Sequence, residues 1–255
     1  MMLDEPYRFA EAVANRRDYI EDQLRGGSPV VGLAYAEGAL ILTMGRGQQK
    51  LYETYDRIAM GSVGHPTDIE KLRQSAVDLA SVVGFNYSDA DVTLQQIVHF
   101  GLGPAVKGSF DDIVRSPYIA RVLLAELDGD GRSTFYTVDY DGSFATSEGS
   151  AAIGGSREAD RTMQDVLTGH RADASLQDAL VVALRAWSAG WSIGQNEAGD
   201  DTTALEASEV KQTLADAIED LSVEAIVLDQ GRNSKRKYRA LSDEETQSAV
   251  DAILA

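Results

Sequence analysis

The spacing of apolar residues changes along this chain, from helical to strand-like and back, twice over. Pro6 opens a stretch in which Phe9, Val13, Ile20 and Leu24 recur at steps of four and seven, and Gly26-Gly27 closes it. That pattern predicts an amphipathic helix over Pro6 to Arg25. Val30 to Met44 is two β-branched and aliphatic runs hinged on Glu37-Gly38, a hairpin signal, and Leu51 to Val63 reads as further strand. Pro66 to Val83 then carries Ile69, Leu72, Ala76, Leu79, Ala80 and Val83 at helical spacing, and Val92 to Val106 is a second, less regular helical pattern.

The second half repeats this order. Tyr118 to Leu127 is a short apolar run bounded by Ser116-Pro117 and by Asp128-Gly129-Asp130-Gly131, a strand leading into a hairpin; Phe135 to Tyr140 returns it and Asp141-Gly142 turns the chain again. Arg157 to Leu167 and Leu176 to Trp187 have helical periodicity, the second with Leu176, Leu180, Val181, Leu184 and Trp187 on one face. Gly199 to Thr203 reads as a loop, Val210 to Leu221 as a short helix and Val223 to Asp229 as a last strand. Ser242-Asp243-Glu244-Glu245 is a capping-box signal for a closing helix that includes Val250, Ile253 and Leu254. Strands, two helices, strands, two helices and strands again is not the alternation of a doubly wound parallel sheet. It suits an α+β sandwich of two antiparallel sheets, although periodicity does not say which sheet a strand joins.

Composition narrows the partners. With 255 residues, 44% of them hydrophobic, the chain can bury one large core. Lys plus Arg number 23 against 41 Asp plus Glu, a net charge of −18, so a nucleic-acid surface would have to form against the field of the whole chain. The absence of cysteine excludes disulfides, thiolate catalysis and cysteine-held metal, and fits a reducing compartment. No apolar run reaches the ~18 residues of a membrane span. The acidic residues Asp4, Glu5, Glu11, Asp18, Glu21 and Asp22 are foreign to a signal peptide, so the expectation is a cytoplasmic protein with no nucleic-acid or membrane partner.

Four blocks carry a family resemblance. They are Gly32-Leu33-Ala34-Tyr35 with Gly38; Gln49-Lys50-Leu51 with Tyr55-Asp56-Arg57-Ile58; Ala151-Ala152-Ile153-Gly154-Gly155; and Val223 to Asp229 followed by Arg232, Lys235, Arg236 and Lys237. In this order, over about Pro6 to Leu241, they resemble proteasome subunits, and the actinobacterial α type more closely than the proteolytic β type. The resemblance implies the four-layer αββα sandwich of the N-terminal-nucleophile hydrolase fold, with residues 1–27 forming a gate segment and helix and residues 28–255 the sandwich domain. It implies a non-catalytic outer-ring subunit that gates the admission of substrate, forms a homo-heptameric ring with neighbouring α subunits, docks on β-type subunits and binds an ATPase or other ring activator. It implies no cofactor and no metal. Met1, Met2, Leu3, Asp4 and Glu5 would be the gate. Phe9, Val13, Ile20, Tyr55, Asp56 and Arg57 would lie at ring interfaces, and Lys50 would receive the activator's C-terminal carboxylate, since a compact ammonium pairs well with a single carboxylate.

Each residue also has a plainer reading. An N-terminal-nucleophile hydrolase needs a hydroxyl or thiol at its first residue, whose own α-amine, with a pKa near ~8, is the base. Laid over Gly32, the β pattern puts Ser28 at the nucleophile and Lys50 at the lysine that tunes it. Met44 falls where that pattern has an acid and Arg46 where it has a base, and a thioether cannot hold an ammonium in place. Ser28 is then a polar residue opening a strand, and Lys50 is either a pocket lysine or a solvated one. Tyr55-Asp56-Arg57 is either a turn with a local ion pair or a subunit contact. Two other functions stay open at this point: a self-processing hydrolase using Ser28 and Lys50, and a homo-oligomeric scaffold without a β partner. His65, His99 and His170 lack ligand spacing and read as ordinary polar positions, and the Asp128 to Gly131 stretch reads as a hairpin turn rather than a calcium loop.

Overall fold

A computed structural model describes residues 6–195 and 207–255. The elements are α1 (Pro6–Leu24), β1 (Val30–Tyr35), β2 (Gly38–Gly45), β3 (Leu51–Tyr55), β4 (Ile58–Gly64), α2 (Pro66–Asn86), α3 (Leu94–Gln96), a π-helical run (Ile97–Leu102), α4 (Gly103–Asp111), β5 (Ala120–Leu127), β6 (Ser133–Val138), β7 (Phe144–Glu148), β8 (Ser150–Ile153), α5 (Arg157–Leu167), α6 (Leu176–Gln195), α7 (Ala207–Ala217), β9 (Ser222–Asp229), β10 (Tyr238–Ala240) and α8 (Asp243–Leu254). One sheet runs β10-β9-β2-β1-β8 and the other β3-β4-β5-β6-β7. Every pairing in both is antiparallel.

Three apolar clusters show how the layers stack. Val31, Leu33, Leu40 and Leu42 on one face of the first sheet pack against Met163, Leu180, Leu184, Trp187, Leu214 and Val250 of α5 to α8. Val30, Ile41 and Ile226 on its other face meet Leu123, Ala125, Leu127 and Phe135 of the second sheet. The outer face of that sheet, with Ile58, Met60, Val122 and Leu124, is covered by Ile69, Leu72 and Ala76 of α2 and by Val98 and Val106 of the following helical segments. This is the expected αββα sandwich. Because both faces of the first sheet are covered, β1 is buried at every position, which is why it reads as a continuous apolar run rather than an alternation. The β1–β2 hairpin pairs Tyr35 with Gly38, where φ is +148° and a Cβ would lie 1.9 Å from the Leu228 carbonyl oxygen. Only glycine allows β9 to approach this closely.

The Leu51 to Val63 segment is a hairpin, β3 and β4, that turns at Asp56-Arg57. The irregular helix predicted over Val92 to Val106 is α3, the π-helical run and α4 in succession. Pro104 has no N–H to return to Phe100, and the Gly103 N–H reaches back to the Val98 carbonyl, widening the turn. The hydrophobic pattern predicts none of β7, β8 and β10, and β8 is only four residues long. β7 is largely exposed and has no apolar alternation, and β10 is three residues long beside a basic stretch. Ser242 and Glu245 form the expected capping box on α8. Asp128 closes the β5–β6 hairpin by accepting from the Asp130 and Arg132 N–H groups at 2.8 and 2.9 Å. No helix among the described residues is long and apolar enough to cross a membrane.

The last turns of α1 seal one end of the sandwich. Leu24 and Ile20 are buried in the cluster between the sheets, and Val13 packs against it. Ile20 is therefore a core residue with no surface left for a neighbour, which corrects its assignment to a ring interface. Phe9 remains 53% exposed. Residues Met1 to Glu5 and the acidic stretch around Asp200 lie outside the described residues.

Candidate functional site

Ser28 precedes β1, Thr43 and Met44 are on β2, Lys50 precedes β3, Trp187 is on α6 and Glu224 is on β9. Antiparallel pairing brings the ends of these strands together, with Val30 opposite Thr43 and Thr43 opposite Glu224. The Ser28 hydroxyl donates to the Met44 carbonyl at 2.7 Å and accepts from the buried Trp187 indole N–H at 3.1 Å. Thr43 donates to the Pro29 carbonyl at 2.6 Å. Lys50 Nζ donates to the Ser28 carbonyl at 3.1 Å and to Thr43 Oγ1 at 3.3 Å.

The two candidate residues therefore meet, through the serine's backbone carbonyl rather than its hydroxyl. The ammonium touches the serine's carbonyl, while the serine's proton is directed at a backbone oxygen. Met44 is buried in the outer cluster and contributes its carbonyl rather than a charge. Arg46 is on the surface, 3.7 Å from Asp220. The Glu224 carboxylate takes the Lys50 and Leu51 backbone N–H groups at 2.9 to 3.2 Å, pinning the start of β3 to β9. No described carboxylate comes within 4 Å of Lys50 Nζ, so the lysine is not in a salt bridge.

Burial governs the electrostatics here. Desolvation pulls the Lys50 ammonium down to about 8, against a smaller opposing effect of Glu224. It also raises the Glu224 carboxyl, an effect that the two backbone N–H groups and Lys50 oppose. Lys50 faces a pocket of about 580 Å³ whose wall includes Tyr52, Ile69 and Trp191. Trp191 stacks on Trp187, with centroids 5.3 Å apart. The site is thus a cation held by uncharged oxygens beside an aromatic wall, a setting for an anionic group with an apolar neighbour.

Residues 24–196, which hold the whole second sheet, β1, β2 and β8 of the first, and α2 to α6, match the family described as "Proteasome subunit". The chain belongs to the proteasome subunit family. Its sequence is 27% identical over 249 residues to a protein named proteasome subunit alpha from Mycolicibacterium smegmatis, covering 96% of this chain and 90% of that protein. It is 26% identical over 248 residues to the proteasome subunit alpha of Streptomyces griseus, covering 96% of this chain and 83% of that one. With the proteasome subunit alpha of Frankia alni it shares 30% identity over 190 residues, covering 71% and 76%. These relatives bear out the actinobacterial α-type resemblance.

The other expected site residues are dispersed. Asp56 and Arg57 form the β3–β4 turn, and Asp56 accepts the Lys237 N–H at 2.7 Å through its carbonyl. The Tyr55 hydroxyl donates to Asp89 at 3.1 Å. The basic stretch after β9 is absorbed the same way, with Arg236 held by Glu53 and Lys235 by Asp89. His65 caps α2 through its ring, and the His170 ring lies 2.7 Å from the Ala34 carbonyl. Sequence reasoning missed Thr43, Trp187, Trp191 and Glu224. The lone carboxylate in apolar Val223 to Leu228 was the one available signal.

Proposed function

We propose that this proteasome-family subunit is a non-catalytic α-type ring component. It assembles with copies of itself into a heptameric ring, stacks on β-type subunits, governs admission of unfolded polypeptide, and takes the C-terminal carboxylate of an ATPase or other ring activator on Lys50. The Lys50 pocket carries this reading, because a partly desolvated cation with no carboxylate partner among the described residues is stabilised by an incoming anion. Two further observations support it. The Ser28 hydroxyl proton already has an acceptor in the Met44 carbonyl, whereas a nucleophile of this class would use its own free amine as base. Val82, Phe85, Tyr87 and Phe100, on α2, the segment after it and the adjoining π-helical run, are exposed, Phe85 by 91%, and such side chains suit subunit contacts. Gating would fall on Met1 to Glu5, with Phe9 and the Tyr55-Asp56-Arg57 turn as further contact candidates.

Tryptophan fluorescence tests the pocket, because the chain has only two tryptophans and Trp191 lines the pocket. A short peptide ending in a free carboxylate should change the emission with saturation, the same peptide as its C-terminal amide should not, and Lys50→Ala should abolish the response. Equal responses to both peptides, or an unaltered response in Lys50→Ala, would return Lys50 to a structural role.

A further inference from the structure

Lys50 differs from the other lysines of the chain in what surrounds its nitrogen. Lys71, Lys107 and Lys235 are each paired with a carboxylate, from Asp68, Asp111 and Asp89. Lys211 is exposed on α7, and Lys237 donates to the carbonyls of Gln230 and Arg232 beside the exposed β9–β10 loop. Lys50 lines a pocket, and among the described residues its nitrogen meets two uncharged acceptors, Ser28 O and Thr43 Oγ1, and no carboxylate. An ammonium has three N–H donors, and two acceptors leave the third without a partner among the described residues. A neutral amine fits the same cradle better. Its two N–H groups use both acceptors, and its lone pair takes the remaining tetrahedral direction, toward the pocket that Lys50 lines. Glu224, the nearby acid, is occupied by backbone N–H groups and forms no salt bridge with Nζ.

The geometry points to Lys50 as a site of covalent acylation by small acyl phosphates. The amine lone pair attacks the acyl carbon, the C–N bond forms as the C–O bond to phosphate breaks, phosphate leaves with the electron pair, and the surplus amine proton passes to water. Arg46, also on the pocket wall, offers a positive charge to the phosphate. The product is an amide that keeps an N–H donor for the cradle and loses the cation. Its consequence for partner capture rests on the carboxylate reading above; the acylation itself does not.

At pH 8 about half of Lys50 is neutral, whereas an ordinary lysine near ~10.4 is under about 1% neutral, and the weaker nucleophilicity of a less basic amine offsets part of that advantage. The full-length protein is treated with acetyl phosphate at pH 8, and initial rates at each lysine are read by peptide mass spectrometry, native and in urea. Lys50 should react at least about tenfold faster than Lys211 and Lys237 in the native protein, and the preference should vanish in urea. Lys50→Arg should remove the fastest phase from the intact-mass record. Reaction at Lys50 no faster than at Lys211, or a preference that persists in urea, overturns the inference. Acetylated protein should also lose the fluorescence response to the carboxylate peptide. Protein that acetylates selectively at Lys50 but never binds that peptide keeps this inference and overturns the carboxylate reading.

Discussion

Replacing Lys50 by methionine tests the electrostatics of the pocket apart from any partner. In the folded chain burial lowers the ammonium from 10.5 to about 8, which corresponds to roughly 3 kcal/mol favouring the neutral form. The sign follows from proton counts. Between about pH 8 and 10.5 the unfolded chain keeps a proton on this lysine that the folded chain has lost, so stability rises with pH across that window. Below pH 8 both states are protonated and the folded state bears the whole cost. Methionine fills similar volume with no charge and leaves two buried acceptors unmet, at about 1 kcal/mol or more, a loss that does not vary with pH. Glu224 and Tyr52 face the same region but stay in both proteins, so their titration largely cancels in the difference. Urea unfolding at fixed chain concentration from pH 7 to 10 gives that difference directly. The stability of Lys50→Met relative to the parent should fall by about 2 to 3 kcal/mol between pH 7 and 10. A difference that stays flat within about 0.5 kcal/mol would mean that Lys50 is well solvated, and the case for an anion-seeking pocket would fall with it.

Other perturbations probe the frame around the site. Arg121, 7% exposed, donates to Asp139, to both oxygens of Asp160 and to the Gly154 carbonyl. Arg121→Met should cost about 3 to 5 kcal/mol by denaturant unfolding at pH 7, because it leaves two carboxylates and a carbonyl without their donor; a loss under about 1 kcal/mol would refute that. Gly38→Ala should lower stability by at least about 2 kcal/mol, since its Cβ would meet the Leu228 carbonyl at 1.9 Å; a neutral result would show that β9 can retreat. Ser28→Ala should cost about 1 to 3 kcal/mol because the buried Trp187 N–H loses its acceptor, while peptide hydrolysis by the assembled particle stays unchanged.

Much of the fold is local and could be read from the chain. The Glu37-Gly38 hairpin, the periodicity of α2, α5 and α6, and the Ser242 cap each depend on residues within a few positions of one another. The fused reading of β3 and β4 failed because Asp56-Arg57 lacks a turn glycine or proline, and β7 was missed because most of its side chains face solvent. Ile20 misled because an apolar residue on an amphipathic helix has the same spacing whether it meets its own domain or a neighbour. The site was half legible. Family resemblance brought Ser28 and Lys50 together, but their hydrogen-bond partners, the Met44 carbonyl, Thr43 and Trp187, come from β2 and α6 and are set by packing. Arg121, a cation in the apolar run Tyr118 to Leu127, and Glu224, an anion in another, were visible exceptions to their strands.

The central claim, an uncut ring subunit that works with catalytic partners, is tested most directly by native mass spectrometry of the protein alone and co-expressed with a β-type subunit from the same source. The account predicts full-length chains in rings that join the β subunits. A mature chain beginning at Ser28 would contradict it and make this protein a hydrolase.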